Sequence, residues 1–184
     1  MDLKNYSASG YDRGAAVWKE ALWFAVKCVF FLNPFPWPSS WRVRLLRLFG
    51  ARIGRRAVIR GNVNITFPWR LTVGDDVWIG EEVTILSLAL VTIESDVCIS
   101  QRSFLCTGSH DFRAPQFDLV TKPITIHRES WIAAQAFIAP GVEVGPHSMV
   151  CAGSIVLETV LPNTRVRGNP AVSLIETTHA HPLS

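Results

Sequence analysis

The side chains with the clearest chemical capacity are five histidines, four cysteines and a run of arginines, and their spacing limits what each can do. His110 stands in Thr107-Gly108-Ser109-His110-Asp111, at the head of a polar, proline-containing stretch. Imidazole, with an unperturbed pKa of about 6.5, can take up a proton at neutral pH, so a histidine both held and exposed is a candidate general base. Asp111 beside it either orients the imidazole or simply begins the loop. A zinc site of the γ-type carbonic anhydrase kind uses three histidines, two of them close in sequence, whereas His110, His127 and His147 stand 17 and 20 residues apart and His179 and His181 fall in a terminal tail. That spacing disfavours the metal chemistry of a γ-type carbonic anhydrase, and no metal is expected. Cys28, Cys98, Cys106 and Cys151 form no close pair and are read as reduced thiols of a cytoplasmic protein.

The net charge of +3 is too mild for a nucleic-acid partner. Its basic residues are unevenly placed, however: Arg42, Arg44 and Arg47, then Arg52, Arg55 and Arg56, could face an anionic cofactor or a membrane surface, or line a solvated capping helix. The apolar stretch 15–32 is interrupted by Lys19, Glu20 and Lys27, leaving less than the roughly 20 apolar residues of a span, and no signal-peptide cleavage site follows it. At 184 residues, 48% hydrophobic and 18% charged, the chain is expected to be a single globular domain with a core that needs no disulfide or structural metal.

The elements that must position His110 are set by an internal repeat. Every sixth residue is aliphatic: Ile53, Ile59, Ile65 and Leu71; Val73, Ile79, Ile85 and Val91; Ile93, Ile99 and Leu105; then Ile126, Ile132, Ile138, Val144, Val150 and Val156. The residue after the aliphatic one is often small, as in Gly54, Gly74, Gly80, Ala133 and Gly145, and the one four places on is usually small or β-branched. A period of six fits neither a helix at 3.6 nor a lone strand at 2. It fits short strands wound into a three-sided solenoid, with three hexads to a coil and each aliphatic side chain pointing inward. Two extra residues at each of the first two joints should bulge a corner without shifting the inward column. His110 then falls at the end of a hexad, at a corner, where an excursion loop over 111–125 leaves the solenoid; long excursions of this kind usually carry function.

The chain accordingly divides into an N-terminal helical segment (1–52), the solenoid (53–161) and a C-terminal turn and tail (162–184). A helix is expected over 15–32, a Pro-rich break at 33–38 and a second helix from Ser40 to Gly50. That second helix either caps the first coil or presents a basic amphipathic face to a membrane, a choice bearing on the cluster of Trp18, Trp23, Trp37 and Trp41 beside the arginines.

Over residues 53–172 the sequence resembles the hexapeptide-repeat O-acetyltransferases of the galactoside and maltose type. With Leu45 to Ala51, Thr107 to Asp111 and Arg167-Gly168-Asn169-Pro170-Ala171 included, it is similar over nearly its whole length to the colanic-acid biosynthesis acetyltransferases. The resemblance implies a mainly β fold, a left-handed parallel β-helix, assembled as a homotrimer with active sites between subunits. It implies acetyl-CoA as co-substrate and a sugar hydroxyl as acceptor, attacked directly with His110 as base and then acid toward the CoA thiolate. Trp131 matches a tryptophan lining the acetyl and acceptor region; Ala134 and Ala152 match positions along the pantetheine arm; Arg165 and Arg167 could meet the nucleotide phosphates. Glu82 aligns near an acceptor-side asparagine, and Ala134 and Leu157-Glu158 replace polar side chains near CoA, so contacts there depart from the pattern.

Other readings stay open at this point. Trp131 could instead fill a subunit interface, the small residues could merely pack coils, and the acceptor could be a drug or an amino acid. A non-catalytic scaffold in a polysaccharide assembly complex would need neither His110 nor the Gly-Asn-Pro turn. The aromatic, basic N-terminus favours a glycan precursor, lipid-linked at the inner membrane face, with the protein cytoplasmic or peripheral there.

Overall fold

The computed structural model describes Lys4 and residues 10–174, so His179 and His181 lie outside the described residues. Two helices, α1 (Val17–Phe30) and α2 (Ser39–Leu48), precede a parallel β-solenoid of about six turns. The first coil comprises β1 (Arg52–Ile53), β2 (Val58–Ile59) and β3 (Asn64–Ile65), the second β4 (Leu71–Val73), β5 (Trp78–Ile79) and β6 (Thr84–Leu86), and the third β7 (Val91–Ile93), β8 (Cys98–Ile99) and β9 (Phe104–Cys106). A hairpin of β10 (Gly108–His110) and β11 (Leu119–Thr121) then leaves the solenoid. The fourth coil is β12 (Ile124–Ile126), β13 (Trp131–Ile132) and β14 (Phe137–Ile138), and the fifth β15 (Glu143–Val144), β16 (Met149–Val150) and β17 (Ile155–Val156). The last turn carries β18 (Arg165–Gly168), which pairs with β16 and, antiparallel, with β19 (Ala171–Ser173).

The first, second and third strands of successive coils stack into three parallel sheets, here called faces one, two and three. The aliphatic column holds its register throughout: on face two, Ile59 pairs with Ile79, Ile79 with Ile99, Ile99 with Ile132 and Ile132 with Val150. All are fully buried, each such burial worth roughly 2 kcal/mol. The column two places before it is buried too, as Val63, Val77, Val83, Val97 or serine; Ser103 Oγ donates to Ala133 O (2.9 Å) and Ser130 Oγ to Gly145 O (2.8 Å), so these buried hydroxyls tie one coil to the next.

Corners are tight because each coil has six residues per side. The turns one–two and two–three place a non-glycine residue at φ between 54° and 61°, including Arg56, Asn62, Glu82 and Gln135, except in the fifth coil, where Gly153 takes the two–three turn at φ 69°. The residue after the aliphatic one must be small because the next coil passes close: a Cβ on Gly145 would lie 2.6 Å from Pro162 N. The two-residue insertions do fall at a corner, between faces three and one, where Phe67, Ser87 and Thr107 turn inward and stack; the Phe67 N–H donates to Ser87 Oγ (2.8 Å) and the Ala89 N–H to Thr107 Oγ1 (2.9 Å). Leu71, Val91 and Ile124 thereby occupy the preceding column, so the strand of coil four resumes at Ile124, inside the stretch expected as loop.

The N-terminal helices close the open edge of the first coil. On face one, Arg47 Nη2 donates to Ile53 O (2.7 Å). On face two, the Ile59 N–H donates to Ser39 Oγ (2.8 Å) and Arg42, 4% exposed, donates to Ile59 O and Phe30 O. On face three, Trp23 Nε1 donates to Ile65 O (3.0 Å) and Lys27 Nζ to Asn64 Oδ1 (2.9 Å). The exposed edge of the first coil is thus capped on all three faces. Arg42 and Arg47 serve this cap, and Arg55 and Arg56 pair with Asp75 and Asp76 one coil on. Among the described residues no helix is long and apolar enough to cross a membrane.

Candidate active site

His110 ends β10, half-buried, at the three–one corner of coil three. Thr107 anchors that corner: its hydroxyl donates to Leu86 O (2.6 Å), and its carbonyl accepts from the Lys122 N–H (2.9 Å), closing the base of the hairpin. The excursion expected as a loop over 111–125 is thus in part a two-stranded ribbon closed by a turn, with His110 opposite Leu119. His110 Nδ1 lies 2.8 Å from Phe117 O, and the imidazole stacks on the Phe117 ring at 4.2 Å between centroids and 2° between planes. A carbonyl can only accept, so Nδ1 carries the proton and Nε2 carries the basic lone pair.

Phe117 itself sits at φ 54°. Of the eleven non-glycine residues with positive φ among those described, the other ten stand at regular solenoid corners; Phe117 alone is in the hairpin. A bulky side chain in the left-handed region is strained, and here the strain directs a carbonyl to the imidazole. Of the two readings of Asp111, orienting the imidazole or beginning the loop, its contacts fit the second: Asp111 Oδ1 accepts from the Arg113 N–H (2.9 Å) and its own N–H donates to Asp118 O, while the contact on the imidazole is Phe117 O. No signal in the sequence marks Phe117.

The other predicted residues gather elsewhere. Trp131 projects outward from face two at 47% exposure, its Nε1 donating to Ser100 Oγ (2.8 Å). In the same outward row Trp131 is followed by Met149 and then by Arg165, and upstream by Cys98 and Trp78, beside a groove of about 270 Å³ lined by Trp78, Cys98, Ser100 and Gln101. Ala134 and Ala152 follow face two at the two–three corner, one coil apart, with the Gly153 N–H donating to Ala134 O (2.9 Å). Ala152 is exposed, as are Arg165 and Arg167. Glu82 lies at the same corner in coil two, its carboxylate on Arg102 Nε (2.8 Å), a partner that the sequence did not suggest. In a three-sided prism face two lies opposite the three–one corner, so one chain holds His110 and the Trp131–Arg165 row on opposite sides.

The other two described histidines stand at the one–two corner, His127 beside Glu94 (3.2 Å) and His147 beside Glu129 (2.9 Å). Among the described residues no three His, Cys, Asp or Glu side chains gather as a metal ligand set. Cys106, buried under the hairpin, has its thiol pushed up by burial, against a smaller opposing effect of its bond to Gly108 O.

No protein-family model matches the chain. An Escherichia coli protein named as a colanic acid biosynthesis acetyltransferase, WcaF, is 43% identical over 176 residues, which cover 96% of this chain and 97% of that protein. The galactoside O-acetyltransferase of Escherichia coli is 28% identical over 132 residues, covering 70% of this chain and 65% of that one. Among solved structures, a hexapeptide-repeat acetyltransferase of Vibrio cholerae complexed with acetyl coenzyme A superposes with a TM-score of 0.79 at 27% identity, over 89% of this chain and 91% of that one. A repeat in unbroken register, the solenoid it builds and a relative matched from end to end converge: the chain belongs to the hexapeptide-repeat acetyltransferases.

Proposed function

We propose that this chain transfers an acetyl group from acetyl-CoA to a sugar hydroxyl, with His110 as general base. The observation that carries the reading is the half-buried imidazole fixed by Phe117 O at 2.8 Å, which makes Nδ1 the donor and Nε2 the acceptor nitrogen. In the step, Nε2 takes the hydroxyl proton as the sugar oxygen attacks the thioester carbonyl, forming a C–O bond. The C–S bond then breaks, and the proton passes from Nε2 to the departing thiolate. No nucleophilic cysteine is needed, in keeping with Cys106 being buried and held as a thiol.

The two–three corner and face two suit the co-substrate. Ala134 and Ala152 leave backbone accessible to amide groups of a pantetheine arm, while exposed Arg165 and Arg167 suit phosphates. Trp131 and Glu82 would meet the acceptor. Because one prism keeps His110 and this row apart, a complete site takes His110 and Asp111 from one subunit and the Trp131 row from its neighbour, which supports a homotrimer. The acceptor we favour is an exopolysaccharide precursor carried on a lipid, in line with relatives named for colanic acid and galactoside acetylation. Thiol release from acetyl-CoA with candidate glycans, wild type against His110→Ala, tests the reading. A loss of about a hundredfold or more is expected of a general base, and undiminished release would overturn the assignment.

A further inference from the structure

Helix α1 has its polarity reversed relative to a solvated helix. Its three charged residues, Lys19, Glu20 and Lys27, are all half-buried and turned toward the protein: Lys19 Nζ lies 5.0 Å from the Trp69 ring, Glu20 pairs with Arg13 (2.9 Å) and Lys27 reaches Asn64. Every exposed residue of α1 is uncharged, among them Trp18 at 70% exposure, Leu22 at 50%, Phe24 at 63% and Val29 at 50%. The apolar surface runs on through Leu32 and Phe35, both exposed. Contiguous apolar surface of this kind marks an interaction site.

We infer that this face binds the surface of an anionic bilayer, with α1 lying in the plane of the headgroups. Three observations select lipid. At 14 residues α1 is about 21 Å long, too short to span a bilayer yet suited to lying in its interface. At the end of the molecule that carries this face, Arg44 and Arg52 are exposed and positive, while Arg55, Arg56 and Arg60 are each paired with an acidic side chain of the second coil and Arg42 and Arg47 serve the cap. Among the exposed side chains of α1 only Trp18 and Cys28 have a hydrogen-bonding group, whereas a protein interface carries about one hydrogen bond per 100–200 Å². Acyl chains need none, and tryptophan is favoured at a lipid–water boundary. The inference deepens the lipid-linked acceptor reading and rests on it for its purpose, not for its geometry.

Flotation of the full-length protein with extruded vesicles tests it, using phosphatidylcholine alone and phosphatidylcholine containing phosphatidylglycerol. Wild type is expected to float with the anionic vesicles, less with the neutral ones and less at high salt. In L22E/V29E the bound fraction should fall about tenfold or more, with the circular dichroism spectrum and thiol release toward a water-soluble acceptor unchanged. A wild type left behind by anionic vesicles, or a variant that floats equally well, overturns the inference. So does a variant whose only change is in oligomeric mass by light scattering, which would make the face a contact between copies. Flotation that depends on α1 in a protein inactive toward acetyl-CoA would instead sink the acetyl-transfer reading and leave this one standing.

Discussion

Phe117 holds an imidazole in one tautomer at the cost of an unfavourable backbone angle, and that trade is testable by substitution. Phe117→Gly removes the strain and the stacked ring together. Thermal stability should hold while kcat/KM falls roughly tenfold, the size of effect typical of a group that orients a reactive side chain; an unchanged kcat/KM would show that ring contact does not position His110. Elsewhere single residues act through coil spacing. Gly145→Ala puts a methyl group 2.6 Å from Pro162 N, backbone against backbone, and should destabilise the solenoid by about 1–3 kcal/mol in a denaturant titration. The cysteines differ by burial: a thiol-alkylating reagent near neutral pH should modify exposed Cys28 and Cys98 in the native protein and spare Cys106, as peptide mass mapping would show. Gly145 could be read from the sequence because its place in the hexad dictates its size. Phe117 could not, because nothing local distinguishes a phenylalanine forced into the left-handed region by a hairpin's closure.

Among the elements, the N-terminal cap illustrates both what periodicity reveals and what it hides. The repeat left open whether the second helix covers the first coil or faces a membrane; the hydrogen bonds of Ser39, Arg42 and Arg47 to β1 and β2 tie it to that coil. Arg42→Ala leaves Phe30 O and Ile59 O without a donor in a buried place and should cost about 2–4 kcal/mol, with loss of cooperativity at the N-terminal end visible by hydrogen exchange. For α1 the pattern was silent: its apolar residues surround the helix, and only packing decides that the three charges go inward. The sixth turn was hidden for a different reason. Val160 follows Val156 by four residues instead of six, yet it is buried and bridges Val144, and Val166 continues the column of Val150. The corner ion pairs add a pH dependence. Hydrogen bonds from the Arg55 backbone and side chain hold the Asp75 carboxyl below its ordinary range, and the guanidinium groups of Arg56 and Arg60 do the same for Asp76 and Glu81. Lowered carboxylate pKa values stabilise the folded coil fully above the unfolded value of about 4 and lose that effect as pH falls below it. The melting temperature should therefore decline from about pH 5 to pH 3, and D75N/D76N should flatten the decline.

At the scale of the whole molecule, the winding decides how many chains an active site needs. The excursion springs from the three–one corner and the Trp131, Met149 and Arg165 row runs down face two, so no bending of a rigid prism brings His110 to Trp131 within one chain. If both serve one reaction, they come from neighbours, and the sites are shared around a closed ring of subunits. Complementation decides this. His110→Ala and W131A/R165E, each inactive alone, should recover part of the wild-type activity when co-expressed with different affinity tags and purified as mixed assemblies. Interfaces that join an intact His110 to an intact Trp131 row exist only in the mixture. Recovery absent from assemblies shown to contain both chains would mean that each chain works alone, and the functional partner of His110 would then have to lie on faces three and one, near Leu88 beside its hairpin.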